Sequence, residues 1–390
     1  MIQHHPRTTR TRSRASGGLL AVLVISPSPQ RIESPAFPGG SAADKLVEEL
    51  RSHSTLRSCR WGSRLVRSAL NTNGRTHNVT TSQVTVEHSQ HLVPVSTSSN
   101  GHVLELTVHT LTGNQPGPTL GLLGGTHGDE PLTVEFVRVI LEDLERSSFA
   151  GKVIAITCAN PLSFRTLTRC TPDDMVNISS AYPGNSDGLL TEQLADAIFK
   201  VFNGACQSYI EFHCGGILPT VDYVFMYTNE QLARSFGSKV LLARSIPANP
   251  VGLAEHLDQR GVQATLVELG GGQVDQRPYV ERIRQAIPNV LRSIGMLEGE
   301  VQYRKDQIVV TELATLRPHN GGLFISNMEI SGLGEVVNGG HDLGRVLHTL
   351  SLEALETLRA PFERSVMVLA RQGFTPINAG DYAFMFGKVE

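Results

Sequence analysis

Thr119-Leu120-Gly121-Leu122-Leu123-Gly124-Gly125-Thr126-His127-Gly128-Asp129-Glu130 is the stretch on which the reading of this 390-residue chain turns. Thr119 to Leu123 read as a buried strand. Pro131 to Arg146 read as an amphipathic helix, with Leu132, Phe136, Ile140 and Leu144 recurring on one face and Val137 and Leu141 beside them. The glycine-rich turn between them sets His127 and Glu130 three residues apart. A histidine and a carboxylate presented together on a strand-to-helix turn can grip one Zn²⁺, which takes nitrogen and oxygen ligands and in catalytic sites leaves a position for water. The glycines allow a sharp turn and a close backbone approach. The bland alternative is a surface histidine followed by a glutamate that only favours a helix start, with Pro131 at the first helical position.

Two later segments share this grammar of a polar residue at the end of an apolar strand. Ser208-Tyr209-Ile210-Glu211-Phe212 runs into His213, and Ala264-Thr265-Leu266-Val267 runs into Glu268. Ligands of open α/β sheets bind beyond the carboxyl ends of the strands. Three strands delivering His127 with Glu130, His213 and Glu268 to one edge give a metal set of two histidines and one glutamate. Glu268 is left as a free carboxylate, a residue type suited to general acid/base work on a metal-bound water.

The run from Gly124 to Glu130, then Ala159-Asn160-Pro161, Arg169, Asn177, Tyr182-Pro183-Gly184, Glu211-Phe212-His213 and Val267-Glu268-Leu269-Gly270 resembles the succinylglutamate desuccinylase/aspartoacylase family. That family belongs to the zinc-carboxypeptidase-like hydrolases, and the resemblance spans about residues 100 to 390. It implies a three-layer α/β/α domain with a mixed sheet, followed by a small all-β C-terminal domain. It also implies one Zn²⁺ per chain held by His127, Glu130 and His213, with Glu268 as general base and acid. Arg169 would polarise the scissile carbonyl, and Asn177 and Tyr182 would contact substrate. The activity implied is hydrolysis of an amide bond in a small N-acylated amino acid or related amine, by a deacetylase or desuccinylase. Zinc lowers the pKa of its water, Glu268 takes the proton, and zinc and an arginine stabilise the oxyanion. Arginine suits that role through its fixed charge and donor fork.

One departure bears on the substrate. Between Arg169 and Pro183-Gly184 the family commonly carries an Asn-Arg pair whose arginine clamps a substrate carboxylate. Here Ile178 follows Asn177, and no arginine lies between Arg169 and Pro183. Either another residue holds the carboxylate, or the substrate is not a typical N-acyl acidic amino acid. Glu211 stands where the family often has Asp; it either orients a metal-bound histidine or lines a strand edge.

Composition bounds the rest. Hydrophobic residues make up 40% and charged residues 18%, which excludes a disordered chain. A net charge of −3, with no basic–aromatic interleaving, argues against nucleic acid or an acidic membrane as partner. The partner expected is a small-molecule N-acyl substrate, with a homo-oligomer left open. Five cysteines (59, 158, 170, 206 and 214) form no CxxC pair and read as reduced thiols.

Residues 1–45 are set apart by Arg7, Arg10, Arg12 and Arg14, a short apolar run from Leu19 to Ile25, and no acid before Glu33. They read as a disordered or targeting extension, the run being too short to span a bilayer. A cytoplasmic location is expected, with a targeting signal left open. Residues 46–300 form the expected zinc-hydrolase α/β domain, with a short helix near Leu46–Leu50, a strand at Val84-Thr85-Val86, the single Trp61 and an unsupported glycosylation sequon at Asn78. Strands are expected at 103–109, 119–123, 153–158, 208–212, 222–227 and 264–268. Helices are expected from Thr191 through Phe202 and over 278–296, the latter broken or kinked by Pro288. Residues 301–390, punctuated by glycines, read as a small β-rich domain. Its His319, His341 and His348 read as surface or turn residues.

Other functions remain beside the deacylase. A zinc carboxypeptidase acting on peptides would lose more from the missing clamp, and a non-catalytic ligand-binding relative would not need all four site residues. A Cys214-dependent acyl transferase would be insensitive to chelators, but adjacent strand residues point to opposite faces, which separates Cys214 from His213.

Overall fold

The computed structural model describes residues 86–246 and 252–390. The extension 1–45, the Leu46–Leu50 helix, Trp61, the Asn78 sequon and all but Val86 of the 84–86 strand lie outside the described residues. The chain runs β1 (Glu87–Thr97), β2 (Val103–Thr112), β3 (Gln115–Leu123), α1 (Leu132–Glu145), β4 (Ala150–Ile156), α2 (Pro161–Thr166), α3 (Leu190–Phe202), β5 (Ser208–His213) and β6 (Pro219–Met226). It continues α4 (Glu230–Ser235), β7 (Val240–Leu242), α5 (Leu253–Asp258), β8 (Gln263–Gly270) and α6 (Arg277–Ser293). The remainder is β9 (Ile308–Val310), β10 (Leu313–Leu316), β11 (Gly322–Ser326), β12 (Val336–Asn338), β13 (Asp342–Leu347), β14 (Ala354–Arg359), β15 (Arg364–Arg371), β16 (Thr375–Ile377) and β17 (Phe384–Lys388).

Most of these strands form one mixed sheet in the order β1-β2-β4-β3-β5-β8-β6-β15-β17-β10. Its centre, β4-β3-β5-β8, is parallel, as the intervening helices require, and β6 returns antiparallel to β8. The central strands are buried on both faces. On β5, Ile210 and Phe212 enter the core beneath α1, α4 and α6, while Tyr209 enters the core beneath α3 and α5. This is the expected three-layer arrangement. The C-terminal strands are hydrogen-bonded into the same sheet through β9 on β7 and β15 on β6. A second sheet, β14-β13-β11-β16, stands beside them around Phe324, Leu343 and Val346.

Pro288 does not break α6. It removes one backbone donor, but Ile283 and Ile287 before it and Val290 and Leu291 after it are buried in the core shared with α1. Arg284 adds ion pairs to Glu142 and Asp143 of α1. The tertiary contacts on both sides of the proline override its local preference. Sequence pattern also did not reveal β1, whose outward residues are exposed and which pairs antiparallel with β2 along nearly its whole length.

His348 takes the turn role expected of it, its Nδ1 accepting from the backbone N–H groups of Leu350 and Ser351. His319 is exposed beside Glu356.

Candidate functional site

β3 ends at Leu123, and the chain turns through Gly125 in a left-handed conformation (φ 65°) before entering α1. Gly128 serves the turn differently. A Cβ there would sit 1.9 Å from the backbone oxygen of Ser163 in α2, so the loop can lie against α2 only with glycine at this position. This close packing holds His127 and Glu130 beneath the strand ends, 1% and 2% exposed. β5 pairs with β3 in parallel and delivers His213, 5% exposed, to the same place. β8 pairs with β5 in parallel, with Glu268 directly beside His213 in register. The two residues therefore leave the same face of the sheet on neighbouring strands, roughly 4.8 Å apart along the hydrogen-bonding direction.

His127, Glu130 and His213 each place a ligand atom within 4.8 Å of the others. His127 Nδ1 lies 2.8 Å from Glu130 Oε1, and His213 Nδ1 lies 3.0 Å from Glu130 Oε2. The far nitrogens are committed. His213 Nε2 faces Glu211 Oε1 at 3.0 Å, and His127 Nε2 faces Asn177 Oδ1 at 3.0 Å. The Asn177 oxygen also accepts from the backbone N–H of Ser179, which fixes the orientation of the amide. Both partners are acceptors, so both Nε2 atoms carry protons. A neutral imidazole then presents an Nδ1 lone pair to Glu130, lone pair against carboxylate, and each Nδ1 contact needs a positive charge in it. Protonated imidazoles can supply that charge. So can a metal cation, and a set of two imidazole nitrogens and one carboxylate fits zinc.

The electrostatics agree with this geometry. Burial alone would raise the Glu130 carboxyl, but His127 and His213 hold it well below its ordinary value. Burial would lower His213, but Glu130 and Glu211 hold it well above. Burial drives Glu268 up to about 8; His213 and Arg169 pull it down while Glu130 and Glu211 push it up. Arg169 Nη1 donates to Glu130 Oε1 at 2.9 Å from a half-exposed position.

Sequence reasoning left the surroundings of the two histidines open. Glu211, fully buried, accepts from His213 through Oε1 and from the backbone N–H of Ala254 through Oε2 (3.1 Å). Its two-residue offset from His213 on a strand was the available signal, since such residues share a face. Asn177, expected among the substrate contacts, has its side chain on His127, and Ser179 Oγ stands 3.1 Å from the same Nε2. Tyr182 is buried, and its hydroxyl has no hydrogen-bond partner among the described residues. Cys214 packs in the core beneath α1, on the face opposite His213, with its thiol pushed well up by burial and by Glu130. That is the reverse of what a nucleophilic cysteine needs.

Fold and site together define a three-layer α/β domain with a His–Glu–His set at the carboxyl ends of its parallel strands. Residues 116–294 match the model of the succinylglutamate desuccinylase/aspartoacylase catalytic domain. Similar proteins include the N-alpha-acetyl-L-2,4-diaminobutyric acid deacetylase of Halomonas elongata. It is 23% identical over 316 residues, which cover 78% of this chain and 92% of that protein. The crystal structure of a succinylglutamate desuccinylase from a Silicibacter species is similar with a TM-score of 0.66 and 23% identity, covering 82% of this chain and all of that one. The product-bound ectoine utilization protein EutE (DoeB) of Ruegeria pomeroyi is similar with a TM-score of 0.65 and 21% identity, covering 78% of this chain and 96% of that one. Among the described residues no helix is long and apolar enough to cross a membrane.

Proposed function

We propose that this chain is a zinc-dependent deacylase that hydrolyses the amide bond of a small N-acylated amino acid or related amine. One observation carries the reading: two buried imidazoles turn Nδ1 toward a single buried carboxylate while acceptors occupy both Nε2 atoms. His127, Glu130 and His213 would hold the zinc, which when bound acidifies water and polarises an acyl oxygen. The family and the H. elongata relative, a deacetylase by name, support deacylation as the reaction.

The remaining roles follow from chemistry at named atoms. Glu268 takes a proton from water and returns it to the departing nitrogen; a carboxyl with an affinity shifted toward neutrality suits both transfers. Arg169 keeps its charge beside Glu130, and its exposed guanidinium has further N–H donors for an acyl oxygen. Glu211 and Asn177 fix the tautomers of His213 and His127, so that the lone pairs of both rings face inward. The buried thiol of Cys214 takes no part.

Elemental analysis of purified protein, beside the His127→Ala variant, tests the reading together with an assay on N-acetyl and N-succinyl amino acids. About one zinc per chain, lost in the variant along with amide hydrolysis, is the expected result. Zinc absent from both proteins overturns it and favours a ligand-binding relative.

A further inference from the structure

The loop between Arg169 and α3 is where the sequence departs from the family, and the structure shows what occupies it. Asn177 is held by His127 and by the backbone of Ser179. Ile178, directly after it, is fully buried in the core beneath α3. Ser179 puts its hydroxyl on His127, and Ser180 is exposed. From residue 170 to residue 199 the chain contains no lysine or arginine. The loop facing the candidate ligands therefore offers amide and hydroxyl groups and no cation.

The other titratable groups nearby are mostly carboxyls. Asp129, Glu130, Glu211 and Glu268 cluster there, and Arg169 is the one guanidinium among the leading electrostatic influences on Asp129 and Glu268. Arg169 is itself paired with Glu130. One oxygen of Asp129, Oδ1, is buried without a hydrogen-bond partner among the described residues. Leu167, Met175 and Ile217, close in sequence to Arg169, Asn177 and His213, are exposed apolar residues.

We infer that the site selects N-acyl amines whose amine portion is neutral or cationic, and discriminates against N-acyl dicarboxylic amino acids such as N-acetylaspartate. This rests on the deacylase reading and narrows its substrate class. A second carboxylate on the substrate would approach Asp129 beside a loop that carries no lysine or arginine from residue 170 to residue 199, while Arg169 is already paired with Glu130, and like charges brought together in a site cost affinity. An ammonium or an alkyl group meets no such penalty. The reaction balances with water alone. The amide C–N bond breaks, the water oxygen bonds to the acyl carbon, and both water protons end on nitrogen, giving a carboxylate and an ammonium.

The test uses one acyl group on four amines: N-acetylaspartate, N-acetyl-2,4-diaminobutyrate, a mono-N-acetylated alkyl diamine and a neutral N-acetylalkylamine. Steady-state kinetics are measured on the zinc-loaded chain, and calorimetric binding of the same compounds on Glu268→Gln. The inference expects the acetylated diamine to exceed N-acetylaspartate by at least about tenfold in kcat/KM, through KM, with the same ranking in binding. Ser180→Arg, which adds a guanidinium beside the Ser179–His127 contact, should narrow that ratio. N-acetylaspartate cleaved or bound as well as the diamine overturns the inference and leaves the deacylase reading standing. Binding with the expected ranking but no hydrolysis of any compound sinks the deacylase reading and keeps the charge selection. No binding and no hydrolysis sinks both.

Discussion

Glu211 and His213 leave the same face of β5, two residues apart, and Glu211 Oε1 lies 3.0 Å from His213 Nε2. The carboxylate holds the proton on Nε2 and turns the Nδ1 lone pair toward Glu130. Because Glu211 is fully buried and also accepts from Ala254, it has little freedom to do anything else. Glu211→Gln keeps the shape and removes the charge. Metal affinity should fall by about 10- to 100-fold, the usual effect of losing such a partner. Competition with a chromogenic chelator checks this; unchanged affinity would assign Glu211 to packing alone.

Arg169 touches Glu130 and keeps half of its side chain in solvent. If it receives the acyl oxygen as charge develops, Arg169→Ala should lower kcat by about 10²- to 10³-fold, with a smaller change in KM. Arg169→Lys should recover little, because an ammonium lacks the planar donor fork. A purely structural arginine would instead show lost zinc or a lowered melting temperature with kcat per bound metal intact.

The chain's parallel centre, its two helical layers and the four residues at its strand ends were legible because each rests on a local pattern. Apolar strands ran into a polar residue, and α1 carried a core stripe at helical spacing. What escaped rests on contacts between distant segments. The strand β1 has no fully buried residue even where it pairs with β2, so no apolar alternation marks it. The hold of β15 on β6 joins residues about 150 apart in sequence, which no periodicity encodes. Asn177 was expected to contact substrate; that its side chain meets His127, 50 positions earlier, is a pairing no local pattern encodes. Pro288 was expected to break or kink the helix because propensity is local, whereas the burial of Ile287 and Val290 is not.

Glycine at 128 answers to packing. A methyl group there would meet the Ser163 oxygen at 1.9 Å and the Ser163 carbonyl carbon at 2.0 Å, both backbone atoms that cannot swing aside. Gly128→Ala should therefore push the turn off α2, destabilise the protein by about 1–3 kcal/mol and displace its two ligand neighbours. Chemical denaturation with and without zinc measures both effects. Unchanged stability and unchanged zinc binding would show that the turn relaxes freely.

Glu268 gives the pH dependence of the metal-free protein a sign. Its carboxyl is held up at about 8 by burial, against an ordinary value of 4.5. A carboxyl raised by folding keeps its proton in the folded state while the unfolded chain has already released it. Its contribution to stability is therefore complete below pH 4.5, declines as pH rises toward 8, and is gone above that. His213, also raised, acts in the same direction, so the comparison must isolate Glu268. Melting temperatures of the chelator-treated chain and of Glu268→Gln, taken from pH 5 to pH 9 at fixed ionic strength, do this. The wild-type chain should lose stability relative to the variant as pH rises, because the glutamine carries no proton to lose. A difference between the two that stays flat across the range would mean that Glu268 ionises freely, and its role as a proton carrier tuned by burial would fall with it.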